Sequence, residues 1–314
     1  MTKYLVTGCA GFVGSHVTRH LIETGAEVIG IDGLRTELYG EDTKLDRIAE
    51  LRDHPRFEFA ELDLRSDSIA DHLDEVDGVI HFAALAGLPS ATRPESAYAE
   101  HNTLATLRIL DALDRSGVHL VHASTSSVYG EYAVGDESQP LEPVSAYGRS
   151  KVAAEQHINE RERDGRVTAT ILRLFSVYGP GQRPDMAYAK ACRALIEGDV
   201  MQITGDGSQR RSNTYIGDVA AAALLSVQLR PQATMNISGS ESVALLDAVD
   251  ILASALGVAA RVEFVPSVAG DQRLTAGDSS RARAMLGWAP MTTLALGLKA
   301  QASWFRKRVP VHNA

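Results

Sequence analysis

Residues 4–14 read YLVTGCAGFVG, an apolar run followed by three glycines, Gly8, Gly11 and Gly14. The run predicts a buried strand, and apolar side chains then recur at helical spacing. Glycines between a strand and a helix let backbone N–H groups approach a pyrophosphate at the helix N-terminus. The spacing of three and three differs from the usual G-x-G-x-x-G, and a tight turn alone also favours glycine. The stretch predicts a strand, a phosphate-binding loop and a helix.

The alternation of strand and helix patterns continues through the first half of the chain. The predicted strands are Tyr4–Thr7, Glu27–Asp32, Arg56–Glu61, Gly78–Ala83, His119–Ala123 and Thr168–Leu174. The predicted helices are Gly14–Glu23, Lys44–Asp53, Ser66–Leu73, Glu95–Ser116 and Tyr147–Arg163. Such alternation indicates βαβ units. The predicted fold class is α/β, with a doubly wound parallel Rossmann sheet and helices on both faces.

From about residue 177 the pattern changes to loops rich in Gly, Pro and Arg, with short strands and helices between them. This change predicts a smaller, mixed α/β C-terminal domain. Asp218–Leu229 and Thr234–Ile237 have patterns that suit a return to the main sheet. We therefore expect a dinucleotide-binding domain of residues 1–176 plus about 213–240, and a substrate-binding domain of residues 177–212 and 241–314.

Composition excludes several classes of function. The 314 residues have a formal net charge of −9, which disfavours a nucleic-acid binder, so phosphate groups must be held locally. The longest apolar stretch, Val219 to Val227, is too short to span a bilayer, and two cysteines suit a reducing compartment. His16 and His20 lie one helical turn apart without a supporting Cys/His cluster. We expect a cytoplasmic protein that binds neither membrane nor metal.

Tyr147 and Lys151 are four residues apart and so share one face of a predicted helix. An ammonium group near a phenol favours the ionised phenol, which then acts as a base near neutral pH. A solvated helix pair is the alternative. Since the chain also contains a phosphate-binding loop, the spacing indicates an acid/base catalyst that works beside a nucleotide cofactor.

Asp32 ends the second predicted strand, about twenty residues beyond the glycine loop. A carboxylate there binds the adenosine ribose hydroxyls and repels a 2′-phosphate, which favours NAD over NADP. Arg35 is a nearby cation that would have the opposite effect if it faced the ribose. Residues 81–84, His-Phe-Ala-Ala, place small side chains where a cofactor could pass, although core packing also explains them.

These motifs occur in an order that resembles the extended short-chain dehydrogenase/reductase family of nucleotide-sugar epimerases and dehydratases. Residues 124–130, STSSVYG, stand between the His81 motif and the Tyr147 motif, and residues 172–182 and 205–211 extend the resemblance over nearly the whole chain. The resemblance implies NAD as the cofactor. The cofactor-binding residues that it implies are Gly8, Gly11, Phe12, Val13, Gly14, Asp32, Asp63, Leu64, Ala83, Tyr147 and Lys151.

The resemblance also implies a catalytic set. Tyr147 corresponds to the base, Lys151 to the residue that binds the nicotinamide ribose, and Thr125 to the hydroxyl that binds the sugar O4. Arg211 matches the arginine that holds the substrate diphosphate, and Asp271 falls in a segment that contacts substrate.

Departures from the family pattern narrow the reaction. Dehydratases have Asp-Glu after this threonine and decarboxylases have a glutamate nearby, whereas this chain has Ser126 and Ser127. Ser176 stands where UDP-galactose 4-epimerases usually have asparagine. Residues 182–187, QRPDMA, look most like UDP-glucuronate 4-epimerases. The resemblance therefore favours 4-epimerization of a uronic acid.

In that interpretation Arg183 binds the sugar carboxylate in a bidentate manner, and Ser126, Ser127 and Ser176 donate hydrogen bonds around it. Alternatively, Arg183 binds a nearby carbonyl or the substrate diphosphate.

The sequence thus predicts an NAD-dependent 4-epimerase of UDP-glucuronate and UDP-galacturonate that acts through a 4-keto intermediate. The alternatives are UDP-glucose/UDP-galactose 4-epimerization, UDP-glucuronate decarboxylation, an enzyme with net redox turnover, and a non-catalytic nucleotide-binding protein. By resemblance, the helices predicted at Glu95–Ser116 and Tyr147–Arg163 would pack against a second subunit in a homodimer.

Overall fold

The computed structural model describes residues 2–87, 93–266 and 272–309. Its centre is a seven-stranded sheet in the order β3-β2-β1-β4-β5-β7-β12, in which every neighbouring pair is parallel. The strands are β1 (Lys3–Thr7), β2 (Glu27–Asp32), β3 (Phe57–Glu61), β4 (Gly78–His81), β5 (His119–Thr125), β7 (Thr168–Leu174) and β12 (Ala233–Ile237). The strand order reverses between β1 and β4, where ligands of such sheets bind.

Helices cover both faces of this sheet. On one face, α1 (Phe12–Glu23) and α7 (Ile216–Leu229) bury Leu21 and Val219 in a common core. On the other, α4 (Ala105–Ala112) and α5 (Ala146–Arg163) bury Ile109 and Ile158. The predicted doubly wound α/β fold is confirmed. Helix α2 (Glu41–Arg52) begins three residues before its predicted start.

The helix predicted at Ser66–Leu73 is wrong, since only a 3₁₀ turn at Ala70–His72 forms there. Side chains in this segment bond to the backbone instead. The Asp67 carboxylate accepts from the Asp63 N–H at 2.8 Å, and the Ser68 hydroxyl accepts from the Ala70 N–H at 3.1 Å. Such local bonds compete with helix formation.

The single helix predicted at Glu95–Ser116 is divided. It consists of α3 (Glu95–Tyr98), a π-helical turn at Ala99–Leu104 and α4, and it ends at Ala112. The π-helical turn contains the buried Asn102, whose side chain bonds to both backbone groups of Leu85 and to the Ser150 hydroxyl. This side chain therefore joins the helix to the loop after β4 and to α5.

The remaining strands form smaller sheets. One is four-stranded with the order β13-β10-β15-β6, and the others are two short parallel pairs, β8–β11 and β9–β14. These strands are β6 (Tyr132–Gly135), β8 (Val177–Tyr178), β9 (Met201–Thr204), β10 (Arg210–Ser212), β11 (Thr214–Tyr215), β13 (Ser242–Ala244), β14 (Val262–Val265) and β15 (Leu274–Gly277). The helices are α6 (Ala187–Glu197), α8 (Leu245–Leu256), α9 (Ser280–Leu286) and α10 (Leu294–Arg306).

The chain passes between the seven-stranded sheet and the smaller sheets more than once. Strand β12 pairs with β7 in the main sheet, and β6 pairs with β15 in the smaller sheet. The division into domains at the residues given above stays a prediction.

Candidate active site

The glycine loop fits a cradle for a phosphate group. Gly8 has a φ of +72°, which glycine adopts without strain. A Cβ on Gly14 would lie 2.0 Å from the Gly8 carbonyl oxygen, so only glycine allows this close packing of α1 on the loop. The loop thus leaves backbone N–H groups at the start of α1 accessible to a ligand.

A cavity of about 370 Å³ opens at the carboxyl ends of the central strands, beside this loop. It brings together most of the residues that the sequence singled out. Those lining it are Gly8, Gly11, Phe12, Val13, Gly14, Asp32, Asp63, Leu64, Ala83, Thr125, Ser126, Ser127, Tyr147, Lys151, Ser176 and Arg183. Arg211 is not among the lining residues, and Asp271 lies outside the described residues.

Asp32 lies at one end of this cavity and is almost fully buried. Its carboxylate accepts from the Leu34 N–H at 2.8 Å and from the Lys44 ammonium group at 3.1 Å. Arg35 is paired with Glu37 at 2.9 Å rather than with Asp32. Lys44, in the first turn of α2, was missed by the sequence analysis because no motif marks it.

Asp63 also lines the cavity, next to Leu64. Its carboxylate receives hydrogen bonds from the Arg65 guanidinium, with the shortest N–O distance 2.5 Å. These bonds hold the pKa of Asp63 at about 2. The Asp63 side chain is therefore a fixed anion at this end of the cavity.

Helix α5 presents the central pair of side chains. The Ser145 hydroxyl caps this helix by accepting from the Gly148 N–H at 3.0 Å, which places Tyr147 in the first turn and Lys151 one turn later. The Lys151 ammonium donates to the Ala123 carbonyl oxygen at 2.8 Å, and burial lowers the pKa of Lys151 to about 8.

The surroundings of Tyr147 oppose its ionisation. Burial raises the pKa of Tyr147, while a hydrogen bond with Thr125 and the charge of Arg183 act to lower it. The Lys151 ammonium is hydrogen-bonded to Ala123, and its help to the phenol stays a prediction. Because the balance of these effects raises the pKa, the phenol is protonated at neutral pH.

A buried ion pair lies beneath Lys151. The Glu155 carboxylate bonds to the Arg173 guanidinium at 2.7 Å and accepts a hydrogen bond from the hydroxyl of Ser124, which lines the cavity. The charge of Glu155 raises the pKa of Lys151 and so opposes the effect of burial. Glu155 was not predicted from the sequence, although its position four residues after Lys151 on the same helix was a usable signal.

The hydroxyl side chains of Ser126, Ser127 and Ser176 form one wall of the cavity, which we call the serine wall. Ser126 and Ser127 begin a 3₁₀ turn directly after β5, and the hydroxyls of Thr125 and Ser127 lie 3.2 Å apart. Ser176 has a φ of +24°, a conformation that L-residues other than asparagine and aspartate rarely adopt. Backbone strain of this kind is concentrated at functional sites.

Arg183 reaches the same wall from the loop before α6. Its Nε and Nη2 atoms lie 3.0 and 2.8 Å from the two carboxylate oxygens of Asp185. The pair is mostly buried, with Arg183 13% exposed. These bonds use two of the five N–H donors of the guanidinium. Asp185 is a carboxylate partner that the sequence analysis did not anticipate.

Residues 4–238 match the NAD dependent epimerase/dehydratase family. The chain belongs to this family. It is similar over 98% of its length to a UDP-glucuronate 4-epimerase of Thermodesulfobacterium geofontis, of which it covers 98% at 31% identity. An uncharacterized UDP-glucose epimerase of Bacillus subtilis is 35% identical over 96% of this chain and 97% of its own length.

A solved structure of high similarity is the UDP-glucuronic acid 4-epimerase of Bacillus cereus in complex with UDP-glucuronic acid and NAD. It has a TM-score of 0.93 and 32% identity, over 98% of this chain and 99% of that one. The predicted family and the predicted Rossmann fold are therefore confirmed for this epimerase/dehydratase-family chain.

The cavity of this family member suits a dinucleotide. Its lining includes a glycine cradle that a Cβ on Gly8 or Gly14 would fill, the buried carboxylate of Asp32 and the buried ammonium of Lys151. Within residues 2–87, 93–266 and 272–309, no cluster of three or more His, Cys, Asp or Glu side chains is arranged to hold a metal ion. In the same ranges, no helix has the length and apolar character that crossing a bilayer requires.

Proposed function

We propose that this chain is an NAD-dependent 4-epimerase that interconverts UDP-glucuronate and UDP-galacturonate. The observation that carries the proposal is the composition of one cavity: Thr125, Tyr147 and Lys151 share it with Arg183 and with four serines, Ser124, Ser126, Ser127 and Ser176. The similarity to the UDP-glucuronate 4-epimerases of T. geofontis and B. cereus supports the choice of substrate.

The glycine loop, Asp32 and Lys44 would hold the adenosine and pyrophosphate parts of NAD, and Lys151 would hold the nicotinamide ribose. When bound, NAD would be the acceptor for the hydride of the sugar C4, and the same hydride would return to the opposite face of that carbon. The protein groups supply the proton transfer. Tyr147 removes the proton from O4 and later returns it, and Thr125 positions that oxygen by a hydrogen bond.

Ionisation of Tyr147 needs more than the protein groups, because burial raises the pKa of this phenol. Arg183 and the Thr125 hydroxyl already favour the phenolate, and the positive nicotinamide ring adds to their effect. Tyr147 is therefore expected to become a base only when the cavity is filled.

The residues that follow β5, Ser126 and Ser127, disfavour dehydration and decarboxylation. Elimination across C5 and C6 needs an acid and a base there, and Ser126 and Ser127 offer hydroxyls in place of carboxylates. The 4-keto form of a uronic acid is a β-keto acid that is prone to lose carbon dioxide. A carboxylate held by Arg183 and serine hydroxyls is kept from the alignment with the ketone that this loss requires.

The second candidate is 4-epimerization of UDP-glucose, which the similarity to the B. subtilis protein favours. In this structure the Asp185 carboxylate already neutralises the charge of Arg183. Because Arg183 then needs no anionic ligand, the site also suits a neutral hexose. In the uronate reaction the substrate carboxylate would bind the guanidinium N–H groups that Asp185 does not use.

Arg183→Ala separates the two candidates. Both substrates should lose the help that Arg183 gives to ionisation of Tyr147. Loss of an ion-assisted hydrogen bond of roughly 1.5–3 kcal/mol should lower kcat/KM for UDP-glucuronate by a further factor of about 10 to 150 relative to UDP-glucose. Some pentose product should also appear. Asp185→Asn is the matched control, since it removes the pair but keeps the guanidinium, and it should retain the preference for the uronate. Equal losses for the two substrates in Arg183→Ala would assign this arginine to the diphosphate and support the hexose reaction.

We also propose a cytoplasmic homodimer. The support is the family resemblance, which implies that helices α4 and α5 pack against a second subunit. Sedimentation of the purified protein would test the dimer, and a monomer at micromolar concentration would refute it.

A further inference from the structure

The Gln272 side chain spans the turn that follows β5. Its Nε2 atom donates to the Ser126 carbonyl oxygen at 3.1 Å and to the Gly130 carbonyl oxygen at 2.8 Å, and its Oε1 atom lies 3.2 Å from the Ser126 hydroxyl. Gln272 also lines the active-site cavity. It comes from the segment before β15, nearly 150 positions away in sequence, so no local pattern reveals this contact.

These bonds fix the direction of the amide. Both partners of Nε2 are carbonyl oxygens, which only accept hydrogen bonds, so the NH₂ group must face them. Oε1 consequently faces the Ser126 hydroxyl. Because an amide oxygen is also only an acceptor, the proton between the two atoms has to come from Ser126.

The single donor of Ser126 is thus committed inside the protein. Ser126 is buried, with 4% of its surface exposed, and what its oxygen presents to a ligand is lone pairs. A sugar hydroxyl can donate to such an oxygen. A carboxylate oxygen in the same place would set lone pairs against lone pairs, which is unfavourable.

We propose that Gln272 is a specificity-determining residue that makes Ser126 a hydrogen-bond acceptor for a sugar hydroxyl. Arg183, Ser127 and Ser176 then bind the carboxylate of a uronate substrate. Ser126 does not bind the carboxylate but orients the sugar ring. This inference rests on the proposed function for the identity of the substrate. It revises the expectation that Ser126 donates to the carboxylate.

The backbone of Gln272 also contacts Arg211, which does not line the cavity. Its carbonyl oxygen accepts a hydrogen bond from the Arg211 guanidinium, while the next residue, Arg273, donates from its N–H to the Glu131 carbonyl oxygen at 3.0 Å. One residue therefore connects the turn after β5 with the arginine expected to hold the diphosphate.

The test is a binding experiment that needs no turnover. All variants are made in Tyr147→Phe loaded with NAD, and dissociation constants for UDP-glucuronate and UDP-glucose are measured by calorimetry. Ser126→Ala should weaken the binding of both ligands about 2- to 13-fold, the range for a neutral hydrogen bond. A larger loss for UDP-glucose than for UDP-glucuronate also agrees with the proposal. Ser127→Ala is the matched control and should weaken UDP-glucuronate selectively.

Gln272→Met then tests the cause, because it keeps the size of the side chain but releases the Ser126 proton. In this background Ser126→Ala should become selective against UDP-glucuronate, so the two substitutions are not additive. A loss confined to UDP-glucuronate in Ser126→Ala alone, or a loss below twofold for both ligands, would overturn the proposal, and this arm does not depend on whether Gln272→Met folds. Strict additivity would also overturn it. Failure of the proposed function appears separately, as absence of UDP-galacturonate in turnover by the unsubstituted enzyme.

Discussion

Lys151→Met should make the nucleotide-free protein more stable while it abolishes activity. Burial lowers the pKa of Lys151 from 10.5 to about 8, and the side chain is only 3% exposed. Each pKa unit corresponds to about 1.4 kcal/mol, so keeping this ammonium charged in the folded protein at pH 7 costs roughly 3 kcal/mol. Methionine avoids that cost but loses the hydrogen bond to Ala123, worth about 1 kcal/mol. The expected net gain is about 2 kcal/mol.

The pH dependence gives the sign of the effect. Because the folded pKa lies below the unfolded one, the unfolded chain binds more protons between about pH 8 and 10.5. The cost of the buried charge is thus fully present below pH 8 and disappears as the pH rises through that window. The stability of the unsubstituted protein should gain from this group across the window, and Lys151→Met should lack that gain.

The assay is guanidinium unfolding from pH 7 to 10.5 after removal of bound nucleotide. Lys151→Arg is the control, since it retains the charge and should show no stabilisation at pH 7. If Lys151→Met were less stable than the unsubstituted protein at pH 7, or kept the same slope with pH, the buried ammonium would not be the destabilising group described above.

Two further predictions concern the cofactor and the base. Tyr147→Phe should lower kcat by about 10²–10⁴-fold, the usual loss for a general base, with NAD binding by calorimetry unchanged; near-normal turnover would remove Tyr147 from the mechanism. Asp32→Ala should weaken NAD binding and reduce the preference over NADP, because Lys44 then faces the ribose without its carboxylate partner. An unchanged ratio of the two dissociation constants would show that Asp32 does not select the cofactor.

The strands and the parallel class of the sheet could be predicted because most of the strands are short runs rich in apolar side chains, and helical patterns alternate with them. Local side-chain bonding could not be read in the same way. Asp67 and Ser68 bond to nearby N–H groups and prevent the helix predicted at Ser66–Leu73. The side chain of Asn102 makes long-range bonds that the sequence does not reveal either. It joins a π-helical turn to Leu85 and Ser150, which are distant in sequence.

The active site divides in a similar way. Residues within short motifs, such as Gly8 and Tyr147, could be singled out because the spacing to their neighbours is visible in the sequence itself. Lys44 and Gln272 were not, since each meets its partner only after the chain has folded. The bond from the Lys151 ammonium to the Ala123 carbonyl oxygen likewise has no signal in the sequence, because Ala123 lies on a different element.

The central claim is best tested by following UDP-glucuronate in real time by proton NMR with the purified enzyme and no added NAD. We expect UDP-galacturonate to accumulate until a stable equilibrium mixture is reached, with no pentose and no net formation of NADH, because the hydride that leaves C4 returns to it. Accumulation of a UDP-pentose, or turnover of UDP-glucose while UDP-glucuronate remains unchanged, would contradict it.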